Sequence, residues 1–480
     1  MLNTLKKYFS PKPIPQILKD MQPLKRTLSA YHLVMMGMGT AVGAGVFVFP
    51  GVCAGNHAGV STIFAFALAA LIMLLITLCY AELASIMPVS GGAYTYVYAV
   101  FGEYCAWIVA SLFIASFMMA SAYIANSFSE YLIPILASLD LYIPVYFQYN
   151  YGAEILLSSG ETLYGICNIA SVFIILFSTF VLAYSMETFK ALNSAIVSLK
   201  VFVIIAFIAA CIPHIDPMLW YPILPSNTGT FGEFGYSGFF KATSIAFLGY
   251  IGVDTITSTA QETKKPSRDI PLGIIITLII CVIIFSTITA VLTGVLDYRA
   301  YYESNNPLAI ALEKIDIKYL GTFMNLGITI GLWTGVAMTM YAVSRVFFAV
   351  INDGLLPQGL GAVDSKTNTP KLLILAVGFT TTLISIFFDV KVLINIFTIG
   401  FIIPYIFVCA AAMLLRYQRP DLNRDFTCPY LYLVGTIAIL FCFIMLSTIA
   451  IKAYYSIAIY LVCCSILYFS FIQYHSNHLR

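Results

Sequence analysis

Apolar residues occur along this chain in long uninterrupted runs that short polar segments separate. About 20 apolar residues in a helix span a bilayer, and an outer-membrane barrel would instead show short alternating strands. The pattern therefore predicts an all-α polytopic membrane protein with twelve transmembrane helices, numbered here as spans 1 to 12. The predicted spans are 31–52, 60–87, 105–133, 162–184, 192–212, 238–263, 272–296, 319–350, 371–389, 392–415, 430–451 and 454–474.

Composition excludes a soluble globular protein. Of the 480 residues, 60% are hydrophobic and only 10% are charged, whereas about 25% of residues are charged in a typical soluble domain. The formal net charge is +2, and no basic stripe suggests a nucleic acid partner. The lipid bilayer is therefore the expected environment of nearly the whole chain.

The first 30 residues are basic and carry no short apolar stretch followed by a small-residue cleavage site. They predict a cytoplasmic N-terminal tail rather than a cleaved signal. Most of the chain's 24 lysines and arginines fall on the same side of the predicted spans as this tail. The positive-inside rule then predicts that both termini are cytoplasmic, and we expect the plasma membrane, in a bacterium the inner membrane.

Glycine pairs interrupt two of the predicted spans. "VGAGVF" at 42–47 places Gly43 and Gly45 inside span 1, and "FLGYIGVD" at 247–254 places Gly249 and Gly252 inside span 6. Spans 1 and 6 are the first helices of two five-span halves, and paired breaks at matching positions indicate a transporter binding site. Close helix packing at small residues is the alternative interpretation.

A broken helix has specific chemistry. Unpaired backbone groups in lipid cost several kcal/mol each, so a break faces protein, water or ligand. The N-terminal end of a half-helix attracts a carboxylate, and exposed carbonyls attract an ammonium group or a cation. A zwitterionic amino acid satisfies both ends at once.

Two charged residues fall at membrane depth. Lys200 lies in span 5, where a lysine needs a partner, a cavity or the loss of its proton; it is a candidate proton carrier, or it snorkels to the cytoplasmic surface. Asp254 follows the break in span 6. It is a candidate proton-carrying carboxylate, a candidate N-cap of the second half-helix, or both. Arg345 and Asp353 flank the inner end of span 8, where we expect salt bridges, and Glu82 is expected near an interface.

No pattern indicates an enzyme, a metal site or a cofactor. The five histidines are scattered without metal-ligand spacing. Most of the eleven cysteines fall within apolar spans, without the spacing of a zinc site or a disulfide framework. We therefore expect no cofactor and no bound metal.

Four motifs carry a family resemblance. They are "GMGTAVGAGVFVFPG" at 37–51, "YAELASIMPVSGGAYTYVYAVFGE" at 80–103, "FLGYIGVDTITSTAQETKKPSRDIPLGI" at 247–274 and "SRVFFAVINDGLLP" at 344–357. In this order and spacing they resemble the amino acid–polyamine–organocation superfamily, and most of all its cationic amino acid transporter branch with the bacterial members.

The resemblance implies a five-plus-five inverted repeat with broken helices 1 and 6. The repeats would cover 31–212 and 213–415, after the tail 1–30, and 416–480 would hold peripheral helices 11 and 12 with the C-terminal tail. Substrate would bind at the breaks. Its carboxylate would meet the amides of Gly43, Ala44 and Gly45, and its ammonium group the carbonyls around Ala41, Val42, Leu248, Gly249 and Ile251.

The same resemblance assigns the remaining candidates and shows departures from the family. Lys200 matches a family lysine beside the break in helix 1, in the region where sodium-coupled relatives bind a cation, and Asp254 falls where relatives carry an acid. Three residues depart from the family pattern: Ala44 stands where relatives often have Ser or Thr, Leu248 stands where many have an aromatic gate, and Ser116 stands where cationic transporters often have a glutamate. Phe247, next to Leu248, could help to close the pocket, and the small polar Thr339 in span 8 is a further pocket candidate.

The leading hypothesis is a secondary active transporter that imports amino acids by alternating access, coupled to protons through Lys200 and Asp254. An exchanger or uniporter of the same fold is the first alternative, and a non-transporting amino acid sensor is a more distant one. The departures do not decide between cationic and neutral substrates. The sequence also does not indicate whether a small membrane subunit binds.

Overall fold

The computed structural model describes residues 10–19, 28–89, 91–156, 162–184, 186–302, 304, 306–315, 318–362, 364 and 369–472. Within these residues, spans 2–5 and 7–12 are unbroken helices. Their bounds are Thr62–Ile86, Glu103–Ser138, Ile169–Tyr184, Met186–Cys211, Pro266–Val295, Lys318–Asn352, Lys371–Phe387, Val390–Gln418, Leu431–Ser447 and Ile451–Ser470.

Spans 1 and 6 are each broken near the middle. Segment 1a is Ala30–Ala41, and segment 1b comprises Ala44–Phe47 and Phe49–Cys53, which a π-helical turn at Ala54–Ala58 and a 3-10 turn at Gly59–Ser61 follow. Segment 6a is Gly235–Leu248, and segment 6b is Thr255–Ser258 with a 3-10 turn at Ala260–Glu262. Both breaks fall at the glycine pairs. The all-α polytopic fold with broken helices 1 and 6 is thus confirmed.

Short elements connect the spans. The helices are Ile14–Lys19, Ala93–Phe101 and Pro307–Lys314; the 3-10 turns are Val145–Phe147, Ile212–His214, Pro217–Trp220, Tyr298–Tyr301 and Gln358–Gly361. Between spans 3 and 4, strand β1 (Glu154–Leu156) pairs antiparallel with strand β2 (Thr162–Tyr164), with Ile155 opposite Leu163.

Among the unbroken spans, four ends differ from the prediction by five residues or more, because the helices of spans 5 and 7 already start at Met186 and Pro266, and the end of span 3 and the start of span 4 also differ. Span 3 continues through Pro134 to Ser138, because a proline removes one backbone hydrogen bond without ending a helix that its neighbours hold. The predicted run 162–184 begins in strand β2, and its helix starts only at Ile169. Asn168 sets that start, because its side chain accepts a hydrogen bond from the Ser171 amide at 3.1 Å.

The bundle is packed around spans 3, 8 and 10. Span 3 lies along spans 8 and 10, segment 1a packs against spans 5, 7 and 8, and segment 6a packs against span 2. The apolar faces of these spans form one continuous buried core. Spans 1 and 6, which carry the breaks, therefore lie against a scaffold of longer helices.

Salt bridges close the end of the bundle at which residues 10–19 lie, here called the terminal face. Glu82 is buried and is bound by Arg416 and by Arg424, the latter at 3.3 Å. The Lys12 ammonium lies 2.7 Å from the Asp353 carboxylate, which also accepts a hydrogen bond from the Tyr94 hydroxyl at 2.8 Å. These contacts tie the N-terminal segment and spans 2, 8 and 10 together at one surface.

A third bridge at this face joins Arg345 to Glu262 at 2.8 Å. The expected salt bridges at the end of span 8 are therefore present, on both Arg345 and Asp353. Glu82 lies near the end of span 2, and its expected position near an interface stays a prediction. Its side chain is 1% exposed, because two arginines and the Cys428 amide at 2.9 Å replace the water that an exposed carboxylate would bind.

Span 12 is bound to span 3 by a row of polar contacts. Glu103 accepts a hydrogen bond from Tyr468 at 2.9 Å, and the Trp107 indole donates to the Cys464 carbonyl at 3.0 Å. One turn further along, the Tyr460 hydroxyl donates to the Ser111 carbonyl at 2.8 Å. In a lipid environment such bonds hold a helix where apolar burial alone gives little driving force.

Candidate functional site

The two breaks meet in the middle of the bundle. A Cβ atom added to Gly45 would lie 2.8 Å from the Gly249 Cα and 2.9 Å from the Gly249 carbonyl oxygen. Only a pair of glycines allows this approach, since real Cβ contacts are longer. Span 1 and span 6 therefore touch through bare backbone at the breaks.

The break in span 1 exposes amide groups at the start of segment 1b. The first N–H groups of a helix have no partner within it. The amides of Val46 and Phe47 donate to the Gly43 carbonyl, both at 3.1 Å. The amides of Ala44 and Gly45 are the first two of the segment, and they form the positive end of its dipole.

The break in span 6 turns sharply at Gly252. Its φ of +99° lies in the left-handed region, and a Cβ there would lie 2.3 Å from Thr40 Cγ2, so glycine is required twice over. The Gly252 amide donates to Asp254 Oδ1 at 3.0 Å. Asp254 occupies the N-cap position of segment 6b, but its side chain binds backward, across the turn, rather than forward into the helix.

Lys200 reaches the break in span 1 from span 5. Its side chain is fully buried, and the ammonium nitrogen donates to the Val42 carbonyl at 2.5 Å and to the Gly39 carbonyl at 3.2 Å. Both carbonyls belong to the C-terminal end of segment 1a, where the helix dipole favours a cation. Among the described residues, no carboxylate pairs with Lys200.

A small cavity lies beside the two breaks. Its volume is about 30 Å³, and the backbone of the two breaks forms one of its walls. The opposite wall comes from spans 3, 8 and 10. The lining residues are Thr40, Ala41, Gly45, Phe49, Ala120, Tyr123, Ile124, Leu248, Gly249, Ile251, Thr339, Phe397 and Phe401. This central pocket combines polar backbone at one end with apolar side chains at the other.

A vestibule of about 470 Å³ opens on the side opposite the terminal face. Three aromatic rings lie between it and the central pocket. Phe49 and Tyr123 have ring centres 5.8 Å apart, and Tyr123 and Phe397 are separated by the same distance. Tyr123 lines both spaces. The protein is thus closed at the terminal face, and one layer of aromatic rings separates the central pocket from the vestibule.

The structure brings together six of the substrate-site candidates at the central pocket, namely Ala41, Gly45, Leu248, Gly249, Ile251 and Thr339. Thr339 shares a hydrogen bond of 2.7 Å with Ser121 there. Val42 lies against Lys200 instead, and Gly43 packs near Gly335. The backbone of Ala44 begins segment 1b.

Three candidates lie away from the central pocket. Ser116 faces span 10, where its hydroxyl would be 2.0 Å from a Cβ on Gly400. Phe247 is buried against the ring of Tyr405, with centres 5.9 Å apart. Asp254 lines a separate cavity nearer the terminal face.

Sequence reasoning missed the aromatic wall of the central pocket. Phe397 and Phe401 are one helical turn apart in span 10, and Tyr123 comes from span 3. Aromatic residues at helical spacing also occur on lipid-facing surfaces, so this pattern alone gave no reason to select them. A polar neighbour, such as Thr398 beside Phe397, was the available signal.

The sequence matches a known protein family. The family model for amino acid permeases covers residues 28–472. The chain belongs to the amino acid permease family. This confirms the superfamily resemblance and makes the protein a transporter rather than an enzyme.

Individual relatives of this permease differ in the substrates that their names state. It is 31% identical to the branched-chain amino acid permease BcaP of Bacillus subtilis (strain 168) over 454 residues, 95% of this chain and 94% of that protein. It is 28% identical to the methylthioribose transporter of the same organism over 453 residues, 94% and 95% of the two chains. It is 29% identical to the vacuolar cationic amino acid transporter 4 of Arabidopsis thaliana, covering 83% of this chain and 64% of that one.

Proposed function

We propose that this permease imports neutral aliphatic amino acids of the branched-chain type by alternating access, in symport with protons. The observation that carries the proposal is the meeting of two broken helices over a pocket with a polar backbone wall and an apolar side-chain wall. The amides of Ala44 and Gly45 would bind the substrate carboxylate. The carbonyls around Ala41, Leu248, Gly249 and Ile251 would bind its ammonium group.

The pocket walls favour a neutral side chain. No acidic or basic residue is among the described residues that line it. A cationic side chain would lose its hydration without an opposite charge, which costs several kcal/mol. Ile124, Phe397 and Phe401 instead offer apolar contact. The similarity to a branched-chain permease supports the same choice over the cationic relatives.

The small volume of the central pocket supports a moving gate. About 30 Å³ of space holds one or two water molecules, which is less than a leucine side chain needs. The substrate would therefore enter from the vestibule as the rings of Phe49, Tyr123 and Phe397 separate, and would leave when the terminal face opens. We place both termini in the cytoplasm and the protein in the plasma membrane, which in a bacterium is the inner membrane. Movement from the vestibule to the terminal face is then import.

Lys200 and Asp254 are the proposed proton-coupling residues. Protonated Lys200 holds the Gly39 and Val42 carbonyls with charge-assisted bonds, whereas the neutral amine holds them more weakly. Its protonation state would therefore change how firmly segment 1a is held against span 5. Coupling follows if the proton and the substrate favour the same conformation. Without that link, the protein would be an exchanger or a uniporter.

The test is uptake by the purified protein in liposomes. Radiolabelled leucine and arginine uptake would be measured with and without an inward proton gradient, for wild type, Lys200→Met and the control Lys452→Met. Lys452 is an exposed lysine at the start of span 12, so its loss removes a charge away from the breaks. We expect gradient-driven accumulation of leucine only, lost in Lys200→Met and retained in Lys452→Met.

Other outcomes identify the alternatives. Leucine counterflow that ignores the gradient in wild type would make Lys200 structural and the protein an exchanger or uniporter. Leucine binding without any flux would indicate a sensor. Arginine uptake that exceeds leucine uptake would reject the assignment to neutral substrates.

A further inference from the structure

A second cavity lies between the central pocket and the terminal face. It also has a volume of about 30 Å³, and it shares no described lining residue with the central pocket. Spans 2, 3 and 8, the segment after span 2 and segment 6b form its walls. The lining residues are Tyr80, Gly91, Gly92, Ala93, Phe113, Phe117, Asp254, Thr257, Ala342 and Val346.

The polar side-chain groups of this cavity are a carboxylate and hydroxyls, all of which can accept hydrogen bonds. Asp254 is 6% exposed and contributes a carboxylate, positioned by the turn at Gly252. Tyr80 is 1% exposed, and its hydroxyl is buried without a hydrogen-bond partner among the described residues. An unpaired buried hydroxyl costs about 1–3 kcal/mol. A ligand that bonds to this hydroxyl would remove that cost.

Two further buried tyrosine hydroxyls lie beside Tyr80. The ring centres of Tyr80 and Tyr405 are 6.0 Å apart, and those of Tyr80 and Tyr96 are 6.1 Å apart. The Tyr96 hydroxyl is also buried and has no hydrogen-bond partner within the described part of the chain, and the Tyr405 hydroxyl interacts with the Asp254 carboxylate. Two unpaired hydroxyls side by side are unusual, since the large majority of buried polar side-chain atoms are bonded.

The remaining walls suit an organic cation. Phe113, Phe117 and Tyr80 bring aromatic rings to the cavity, and the negative face of an aromatic ring attracts an ammonium group. No lysine or arginine is among its described lining residues. A carboxylate, hydroxyl oxygens and aromatic rings together form the environment in which ammonium groups bind.

One ring pair separates this cavity from the central pocket. Phe117 lines the second cavity and Phe401 lines the central pocket, and their ring centres are 4.7 Å apart in an edge-to-face arrangement. A substrate that passes this pair toward the terminal face meets Asp254 next. Its ammonium group must leave the carbonyls of the breaks at that step.

We propose that the second cavity is a transient binding site for the ammonium group of the amino acid on its way to the terminal face. The proposal rests on the proposed function in taking an amino acid as the substrate. Asp254 and the Tyr80 hydroxyl accept hydrogen bonds from the ammonium group, and Phe113 and Phe117 surround it. The site lowers the barrier between the central pocket and release.

The test uses methylamine, because a cavity of about 30 Å³ holds only a group about the size of one or two water molecules. Its binding to the purified protein in detergent would be measured by isothermal titration and by the rise in unfolding temperature, with formate as the acid of matched size. Because the amine lacks both the carboxylate that the amides of segment 1b bind and the side chain that the apolar wall of the central pocket contacts, we expect it to bind the second cavity. The acid should not bind there.

Variants locate the amine. Tyr80→Phe removes only the hydroxyl, and we expect amine affinity to fall about tenfold, as for a hydrogen bond to a charged group. Asp254→Asn should lower it about a hundredfold. Thr381→Val is the control, since Thr381 also carries a buried unpaired hydroxyl, but in span 9, and its amine affinity should equal that of wild type.

Several outcomes would overturn the proposal. Unchanged amine affinity in Tyr80→Phe would place the amine elsewhere, and this conservative variant decides the question even if Asp254→Asn fails to fold. Sodium chloride that displaces the amine, while N-methylglucamine chloride does not, would make the cavity an alkali-cation site. Leucine titration of the same wild-type sample tests the proposed function separately: absent leucine binding would reject that function, whereas amine binding that depends on Tyr80 concerns the cavity alone.

Discussion

The contact between Gly45 and Gly249 gives a quantitative prediction with a built-in control. Carbon atoms in contact normally lie about 3.5–4.0 Å apart, but a Cβ on Gly45 would lie 2.8 Å from the Gly249 Cα. Gly45→Ala therefore requires the two backbones to separate by roughly 0.7 Å or more, so that the 2.8 Å of an ideally placed Cβ becomes an ordinary contact. Neither partner is a flexible side chain that could move aside.

Gly43 is the matched control, two residues away in the same break. A Cβ there would have the Thr40 carbonyl oxygen at 3.5 Å and the Gly335 Cα at 3.8 Å, which is ordinary contact. Overpacking of a tight core costs about 1–3 kcal/mol, whereas alanine for glycine at a compatible position stabilises by about 0.4–1 kcal/mol. We therefore expect Gly45→Ala to lower stability and Gly43→Ala to leave it unchanged or slightly higher.

The assay combines unfolding of the purified protein with leucine binding. Gly45→Ala should unfold at a lower temperature. It should also bind leucine more than tenfold more weakly, because the larger distance between the breaks moves the amides of segment 1b away from the carbonyls of span 6. Gly43→Ala should unfold at or above the wild-type temperature. Equal loss of stability in both variants would refute the reasoning, since the glycines would then matter for backbone freedom rather than for the approach of spans 1 and 6.

Three further changes have expected outcomes. Glu82→Gln leaves the Arg416 guanidinium without its carboxylate, so we expect a loss of about 3–5 kcal/mol in unfolding free energy; an unchanged denaturant midpoint would contradict this. Lys12→Gln releases Asp353 and should speed maleimide labelling of a cysteine introduced at the second cavity, whereas equal labelling rates would show that this bridge does not hold the terminal face closed. Phe397→Ala removes part of the aromatic layer below the vestibule and should speed leucine dissociation in a filter assay, with slower or equal dissociation as the contrary result.

The sequence was sufficient for the spans and for both breaks. Long apolar runs have one physical solution in a bilayer, and glycine pairs at the middle of two of them leave few other interpretations. Lys200 was selected because a lysine at membrane depth needs a specific environment, and the structure gives it two carbonyls at the end of segment 1a.

Side-chain direction was harder to predict. Ser116 and Phe247 lie on pocket-forming spans, but a rotation of one helical position turns a residue from the pocket toward a neighbouring helix. The direction of Ser116 follows from the bare backbone of Gly400 in another span, a pairing that only the three-dimensional packing supplies. The partners of Glu82 could not be predicted for the same reason, because both arginines come from the far end of the chain.

The link between spans 11 and 12 touches the vestibule wall. The Lys241 ammonium in segment 6a donates to the Thr448 carbonyl at 2.9 Å, and the Ser244 hydroxyl shares a hydrogen bond of 2.9 Å with that of Thr448. Span 12 is itself bound to span 3, and its outer surface faces lipid. Bilayer thickness and lateral pressure would therefore act on segment 6a through this hairpin, so we expect the transport rate to depend on the lipid in which the protein is reconstituted.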